Sequence, residues 1–186
     1  MASTTDPLMQ EVEQACQDIA GSSTSKELRA SLSNIKIVKV VPVEVESTGK
    51  KALIVVVPYT QYKNQIKPNQ GRCITELEKK TKRHVCIVAL RTMLKPKSLQ
   101  VGMAHRPYSR SLTAVQTALL DDISGPAEIC GKRTRIGVDG KQCLKIYLDP
   151  KDKAKDNIEE KLATYGAVYQ AITHKPCVFE FADYTL

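Results

Sequence analysis

A buried strand, a long helix and a second strand follow one another in this chain, and this order constrains the fold most. ALIVVV (52–57) is an apolar run typical of a strand buried on both faces of a sheet. Residues 59–81 keep the apolar spacing of a helix although Pro68 and Gly71 interrupt it, so we interpret them as one kinked helix. HVCIVALR (84–91) is the next strand. This order predicts a crossover unit with two parallel strands.

The segment before this unit predicts a hairpin partner for ALIVVV. Residues 35–46 alternate with period two. We therefore expect five aliphatic side chains on one face of a strand: Ile35, Ile37, Val41, Val43 and Val45.

The segments after the unit predict two further helices and a second hairpin. Ser109 or Ser111 is expected to cap a helix whose apolar face holds Leu112, Val115, Leu119 and Ile123. Asp139-Gly140 indicates a two-residue hairpin turn. Asp149-Pro150 is expected to begin the last helix, and CVFEFADY (177–184) to form the last strand.

These elements predict an α/β (α+β) fold with helices packed on a mixed β-sheet. We expect one domain over residues 1–186, with an N-terminal helical segment at 6–33. A long basic loop, residues 92–110, precedes a helix, and we call it the basic arm.

The positive charge of the chain is concentrated in its middle third. The net charge is +8, and residues 61–120 alone carry twelve Lys or Arg and two acids. Between Glu78 and Asp121 there is no acid, against nine Lys or Arg and two His. Because a charge needed only for solubility would be spread out, this concentration indicates a polyanionic partner, RNA or DNA.

Several classes of site and partner are not expected. The closest of the six cysteines are thirteen residues apart, a spacing that does not suit zinc, so we expect no metal and no cofactor. Without a secretion signal at the N-terminus, we expect reduced, mostly buried thiols in a cytosolic or nuclear compartment. The longest apolar run, six residues, is far short of the roughly 20 that span a bilayer, so no membrane partner is expected.

Two residue pairs are candidate catalytic groups. His84 and Cys86 share one face of a strand, but i and i+2 side chains are too far apart to hydrogen-bond directly. Asp121 and Asp122 are adjacent on a helix and therefore diverge, so we expect both on a solvated face. The chain is predicted not to be an enzyme, and no small-molecule substrate is expected.

Three basic groups are the candidate nucleic-acid ligands. Lys79, Lys80, Lys82 and Arg83 end a helix, where bases also suit the helix dipole. The arm and the strand before it supply Arg91, Lys95, Lys97, His105, Arg106, Tyr108 and Arg110. The hairpin supplies Lys132, Arg133 and Arg135. Spaced cations on a long loop can follow a phosphate backbone, and Tyr108 can stack on an unpaired base.

The order of motifs around the arm resembles a known family. HRPYSRSLTAVQTALLDDI followed by PAEICGKRTRIGVDGKQCLKIYLD is similar to the eukaryotic small-subunit (40S) ribosomal protein seven family. KKALIVVVP, ELEKKTKRHVCIVALR and VFEF match its other landmarks, so the resemblance covers about residues 8–183. In that family the arm is commonly longer and richer in Lys and Arg, and the helix that here contains Pro68 and Gly71 is uninterrupted.

The resemblance implies a structural constituent of the 40S subunit with no catalytic activity. It implies binding to small-subunit rRNA and to neighbouring ribosomal proteins, and a part in subunit assembly and translation. The implied location is the cytoplasmic ribosome, with a nuclear or nucleolar assembly stage. The RNA-binding role falls on Lys95, Lys97, Arg106, Arg110, Lys132, Arg133 and Arg135. Two alternatives remain open, namely a scaffold for acidic proteins and a thiol enzyme built on Cys86.

Overall fold

The structure is a computed structural model that describes residues 7–22, 29, 32–33, 35–45, 49–95, 106–153, 155 and 157–182. Its main helices are α1 (Pro7–Ser22), α2 (Gln70–Thr81), α3 (Leu112–Ser124) and α4 (Ile158–Thr173). Its strands are β1 (Lys39–Glu44), β2 (Lys51–Pro58), β3 (His84–Leu90), β4 (Ile129–Ile136), β5 (Gln142–Leu148) and β6 (Cys177–Phe181). Most of the second helix expected within 6–33 lies outside the described residues. No helix among those described is long and apolar enough to cross a membrane.

The predicted α/β class is confirmed, with the strands divided between two mixed sheets. One sheet has the order β1-β2-β3 and the other β4-β5-β6. In each sheet the first pair is antiparallel and the second pair is parallel. The predicted crossover is confirmed, because β2 and β3 are parallel and α2 lies between them in the chain.

The first sheet separates two hydrophobic cores, which explains the unbroken apolar run in β2. Leu53, Val55 and Val57 face a core built with α1 and α2. Ala52 and Ile54 face a second core built with α3, α4 and the second sheet. Since both faces of β2 are covered, alternation between apolar and polar residues is absent from its sequence.

The expectation that Ile35, Ile37, Val41, Val43 and Val45 share one face of a strand is wrong. Ile37 and Val40 both belong to the first core, although they are three residues apart. Val41, Val43 and Val45 pack on the second core. The alternation slips by one residue because β1 begins only at Lys39, and Ile37 lies outside the regular strand.

Residues 59–81 form one continuous helical element, as predicted, with irregular turns. A π-helical turn spans Tyr62–Ile66 and a 3-10 turn spans Lys67–Asn69 before α2 begins. Pro68 lies in the 3-10 turn, where its missing N–H interrupts the regular hydrogen-bond ladder.

The ends of the later helices correct two expectations. Ser111 caps α3 as predicted, but Leu112 in its first turn is exposed, and Leu120 is buried instead. The Asp149 carboxylate accepts a hydrogen bond from the Lys151 N–H and caps only a short 3-10 turn. The last helix, α4, therefore begins at Ile158 and not at Pro150.

The hairpin between β4 and β5 is confirmed, but its turn is of another type. The Gly137 N–H bonds to the Lys141 carbonyl, so three residues form the loop. The Gly140 N–H closes a turn on the Gly137 carbonyl, and Gly140 has a φ of 73°. This pattern is a turn followed by a left-handed bulge residue, in place of the predicted two-residue turn.

We expect Gly140→Val to destabilise the protein by about 1–3 kcal/mol, because a β-branched residue at positive φ is strained. An added Cβ would meet no atom within 4 Å, so the cost is backbone strain alone. Gly21→Val, also without close neighbours but at ordinary φ, controls for the added side chain. Equal thermal shifts for the two variants would contradict the turn assignment.

Candidate nucleic-acid interface

The length of β3 separates two of the predicted basic groups. Lys79, Lys80, Lys82 and Arg83 precede the first residue of β3. The basic arm begins just after its last residue, Leu90. Seven strand residues span roughly 20 Å, so these two groups do not form one site.

Most of the group at the end of α2 faces acidic side chains. Lys79 lies 2.6 Å from Glu76, Lys80 lies 3.6 Å from Asp18, and Arg83 lies 3.7 Å from Glu11. Burial lowers the pKa of the neighbouring imidazole of His84, so His84 adds little positive charge near neutral pH. Of these four bases, Lys82, in the left-handed position that ends α2, is the one that makes no ion pair with a described residue.

Arg91, a predicted RNA ligand, belongs to a buried ion pair. Its Nη2 donates to Asp122 Oδ1 at 2.9 Å, and its Nη1 donates to Asp122 Oδ2. Burial alone would lower the pKa of Arg91, but hydrogen bonding and attraction from Asp122 raise it above its ordinary value. The charge of Arg91 is therefore already neutralised within the fold by Asp122.

The expectation of a solvated Asp122 is wrong. Its side chain is 3% exposed and also accepts a hydrogen bond from the Ala89 N–H of β3. Asp121 beside it is exposed. Asp122 is seven residues after Val115, in the apolar phase of α3, and this phase was the sequence signal for its burial.

Gln70 extends this buried network and was not identified from the sequence. It accepts a hydrogen bond from the Tyr62 hydroxyl at 3.1 Å and donates to the Asp122 carbonyl at 2.9 Å. The network therefore ties the irregular turns before α2 to the end of α3.

The two ends of the basic arm are held together. The Leu94 N–H donates to the Arg110 carbonyl at 2.9 Å, and Arg106 donates to the Leu94 carbonyl at 2.9 Å. The Arg106 guanidinium thus helps to close the arm, while the side chains of Lys95 and Arg110 make no ion pair with a described residue. Lys97 and His105 lie outside the described residues.

The hairpin presents its three predicted bases to solvent. Lys132, Arg133 and Arg135 are all exposed on β4. Lys132 reaches Thr117 of α3, with its Nζ 3.5 Å from the Thr117 hydroxyl. Arg133 and Arg135 make no ion pair within the described chain.

Helix α3 joins the end of the arm to the hairpin. On one side, Ala114 and Ala118 line a cavity of about 610 Å³ together with Tyr108 and Arg110. On another side, a cavity of about 370 Å³ is lined by Thr113, Thr117, Lys132 and residues of β5 and α4. Tyr108, Arg110 and Lys132 therefore line cavities against α3, whereas Arg133 and Arg135 alternate with Lys132 along β4 and face the other side of its sheet. We give the name α3 surface to the exposed predicted residues of the arm and the hairpin together: Lys95, Tyr108, Arg110, Lys132, Arg133 and Arg135.

The chemistry of the Cys86 thiol does not favour nucleophilic catalysis. Burial, with a contribution from Glu78, raises the pKa of Cys86 to about 12, so its thiolate is scarce near neutral pH. His84 Nδ1 instead lies 2.8 Å from the Thr164 hydroxyl. Within the described ranges, no group of three or more His, Cys, Asp or Glu side chains could hold a metal ion.

Comparisons with known proteins point to the same family along most of the chain. A sequence model described as ribosomal protein S7e matches residues 2–181. Small ribosomal subunit protein eS7 of Avicennia marina is 40% identical over 160 residues, which cover 86% of this chain and 82% of that protein. Small ribosomal subunit protein eS7z of Arabidopsis thaliana is 40% identical over 175 residues, which cover 94% of this chain and 88% of that protein. Small ribosomal subunit protein eS7 of Schizosaccharomyces pombe is 42% identical over 161 residues, which cover 86% of this chain and 80% of that protein.

Proposed function

Because this chain belongs to the ribosomal protein S7e family, we propose that it is a constituent of the small ribosomal subunit and that it binds small-subunit rRNA through the α3 surface. This family is a structural family and not an enzyme family. Its other proposed partners are neighbouring proteins of the same subunit. Its proposed locations are the cytoplasmic ribosome and, during subunit assembly, the nucleolus.

One observation carries the proposal for the α3 surface. Two basic segments that are about twenty residues apart in the chain, the end of the arm and the hairpin, lie on either side of α3. Arg110, Arg133 and Arg135 have no acidic partner within the described chain, whereas most bases at the end of α2 do. Unpaired cations can exchange their counterions for phosphates without first breaking an ion pair.

We expect replacement of Lys95, Arg110, Arg133 and Arg135 by Ala to weaken binding to a fragment of small-subunit rRNA. Each neutralised phosphate on irregular or single-stranded RNA contributes about −0.7 to the slope of log affinity against log salt. The loss of up to four contacts should therefore flatten the slope by roughly 1–3. Because all four side chains are exposed, the variant should melt near the wild-type temperature.

The matched control removes the same number of positive charges from the end of α2, which precedes β3. Replacement of Lys79, Lys80, Lys82 and Arg83 by Ala should change the salt slope less, because three of these bases already face acids. If both variants lost the same rRNA affinity, the loss would be a general effect of charge, and the proposal that the α3 surface binds rRNA would be contradicted. An rRNA fragment bound no better than an acidic protein of similar charge would favour the scaffold alternative.

A further inference from the structure

The 610 Å³ cavity beside α3 is bordered by aromatic and cationic side chains. Tyr59 and Leu90 line it at the ends of β2 and β3, and Tyr108 and Arg110 line it at the end of the arm. We propose that this cavity binds one unpaired RNA base against its tyrosine rings, while Arg110 contacts the adjoining phosphate. The inference rests on the proposed function and names the form of RNA that this part of the surface recognises.

The exposure of the two tyrosines favours a stacking role. Tyr59 is 48% exposed and Tyr108 is 79% exposed, whereas Tyr62, Tyr165 and Tyr169 are buried in the cores. Leu90, which is 50% exposed, adds apolar surface at the same place. Aromatic faces that remain in solvent next to a cation are the usual platform for unpaired bases.

Tyr59 is held in place before any ligand arrives. The guanidinium carbon of Arg91 lies 5.6 Å from the centre of the Tyr59 ring, a cation–π contact. Arg91 is itself fixed by its two hydrogen bonds to buried Asp122. Tyr59 therefore loses little side-chain freedom when a base stacks on it. Residues 59–81 carry the apolar spacing of a helix, yet the Tyr59 ring at the start of this segment is not buried.

The backbone of Tyr108 is fixed at the point where the arm meets α3. Its carbonyl accepts hydrogen bonds from the Ser111 N–H at 3.0 Å and from the Ser111 hydroxyl at 2.7 Å. Ser111 in turn caps α3. Tyr108 thus projects from an anchored 3-10 turn, and the ends of the arm are closed by the Leu94–Arg110 hydrogen bond.

The lining favours a nucleotide over a protein side chain. Arg110 supplies the cation of the cavity rim, since the charge of Arg91 is paired with Asp122, and none of the described residues that line the cavity is acidic. Its volume lies within the range of about 300–1,000 Å³ that is common for small-molecule sites, which suits one base with its sugar. A negatively charged phosphate is complementary to this rim, and a flat base is complementary to the rings.

The test compares two short single-stranded oligoribonucleotides with the same number of phosphates. One carries its bases, and the other carries abasic residues at every position. We expect the full-length wild-type chain to bind the first about 5- to 100-fold more tightly, the scale of stacking one base. The double variant Tyr59→Ala, Tyr108→Ala should lose most of this preference and keep the salt slope of the wild type.

A second double variant distinguishes stacking from general damage. Tyr59→Phe, Tyr108→Phe keeps both rings and should keep the preference for the oligonucleotide with bases. Equal wild-type affinity for the two oligonucleotides would overturn the base pocket and leave the cavity to a partner protein. If neither oligonucleotide bound in a salt-dependent way, the proposed function itself would be wrong, and the pocket with it.

Discussion

Asp122→Ala should lower the free energy of unfolding by about 3–5 kcal/mol, because it leaves the Arg91 charge in a mostly buried position without its partner. The Ala89 N–H of β3 would lose its acceptor as well. For a chain of this length, the melting temperature should fall by roughly 6–20 °C. Thermal denaturation followed by circular dichroism measures this fall.

Asp121→Ala is the matched control for this prediction. Asp121 is the preceding residue of the same helix, but its side chain is exposed and makes no ion pair with a described residue. Its replacement should change stability by less than about 0.5 kcal/mol. Similar destabilisation by the two variants would mean that the buried pair with Arg91 does not stabilise the fold.

Glu78→Ala should destabilise the chain by about 2–4 kcal/mol, somewhat less than a fully buried pair because Glu78 retains some exposure. Glu78 accepts hydrogen bonds from Lys161 Nζ at 2.7 Å and from the Val85 N–H at 3.2 Å. Without Glu78, the Lys161 ammonium of α4 would stay nearly buried with no counter-charge. Chemical denaturation with urea gives the change in unfolding free energy.

Glu76, two residues earlier in α2, provides the comparison. It pairs with Lys79 at 2.6 Å, but both side chains are exposed. Exposed pairs contribute about 0–1 kcal/mol, so Glu76→Ala should have a small effect. A loss of stability in Glu76→Ala that matches the loss in Glu78→Ala would show that the buried pair with Lys161 does not explain the result.

Periodicity predicted the elements that pack on one or two hydrophobic cores. The buried run of β2 and the parallel crossover both follow from the spacing of aliphatic residues. The same signal did not predict that the strands divide into two sheets. Each sheet satisfies the same alternation, and pairing between distant strands leaves no mark in the spacing within one strand.

The candidate site was predictable in its residue types but not in their partners. The charge distribution pointed to the arm and the hairpin, and both present exposed bases. It could not show that Arg91 turns inward to Asp122, because that contact joins residues 31 positions apart. The position of Asp122 in the apolar phase of α3 was the local signal, and the adjacent Asp121 obscured it by making the pair look like a solvated helix end.

The carboxylates of Asp122 and Glu78 both hydrogen-bond to backbone N–H groups of β3, and this affects whether two copies of the chain can pair through their sheets. β3 is an edge strand of its sheet, and an edge strand with free N–H groups can pair with the edge of another molecule. Glu78 occupies the N–H of Val85 near one end of β3, and Asp122 occupies the N–H of Ala89 near the other. A second strand cannot hydrogen-bond to these two N–H groups without displacing both carboxylates, so this edge of the first sheet is guarded against pairing with another copy.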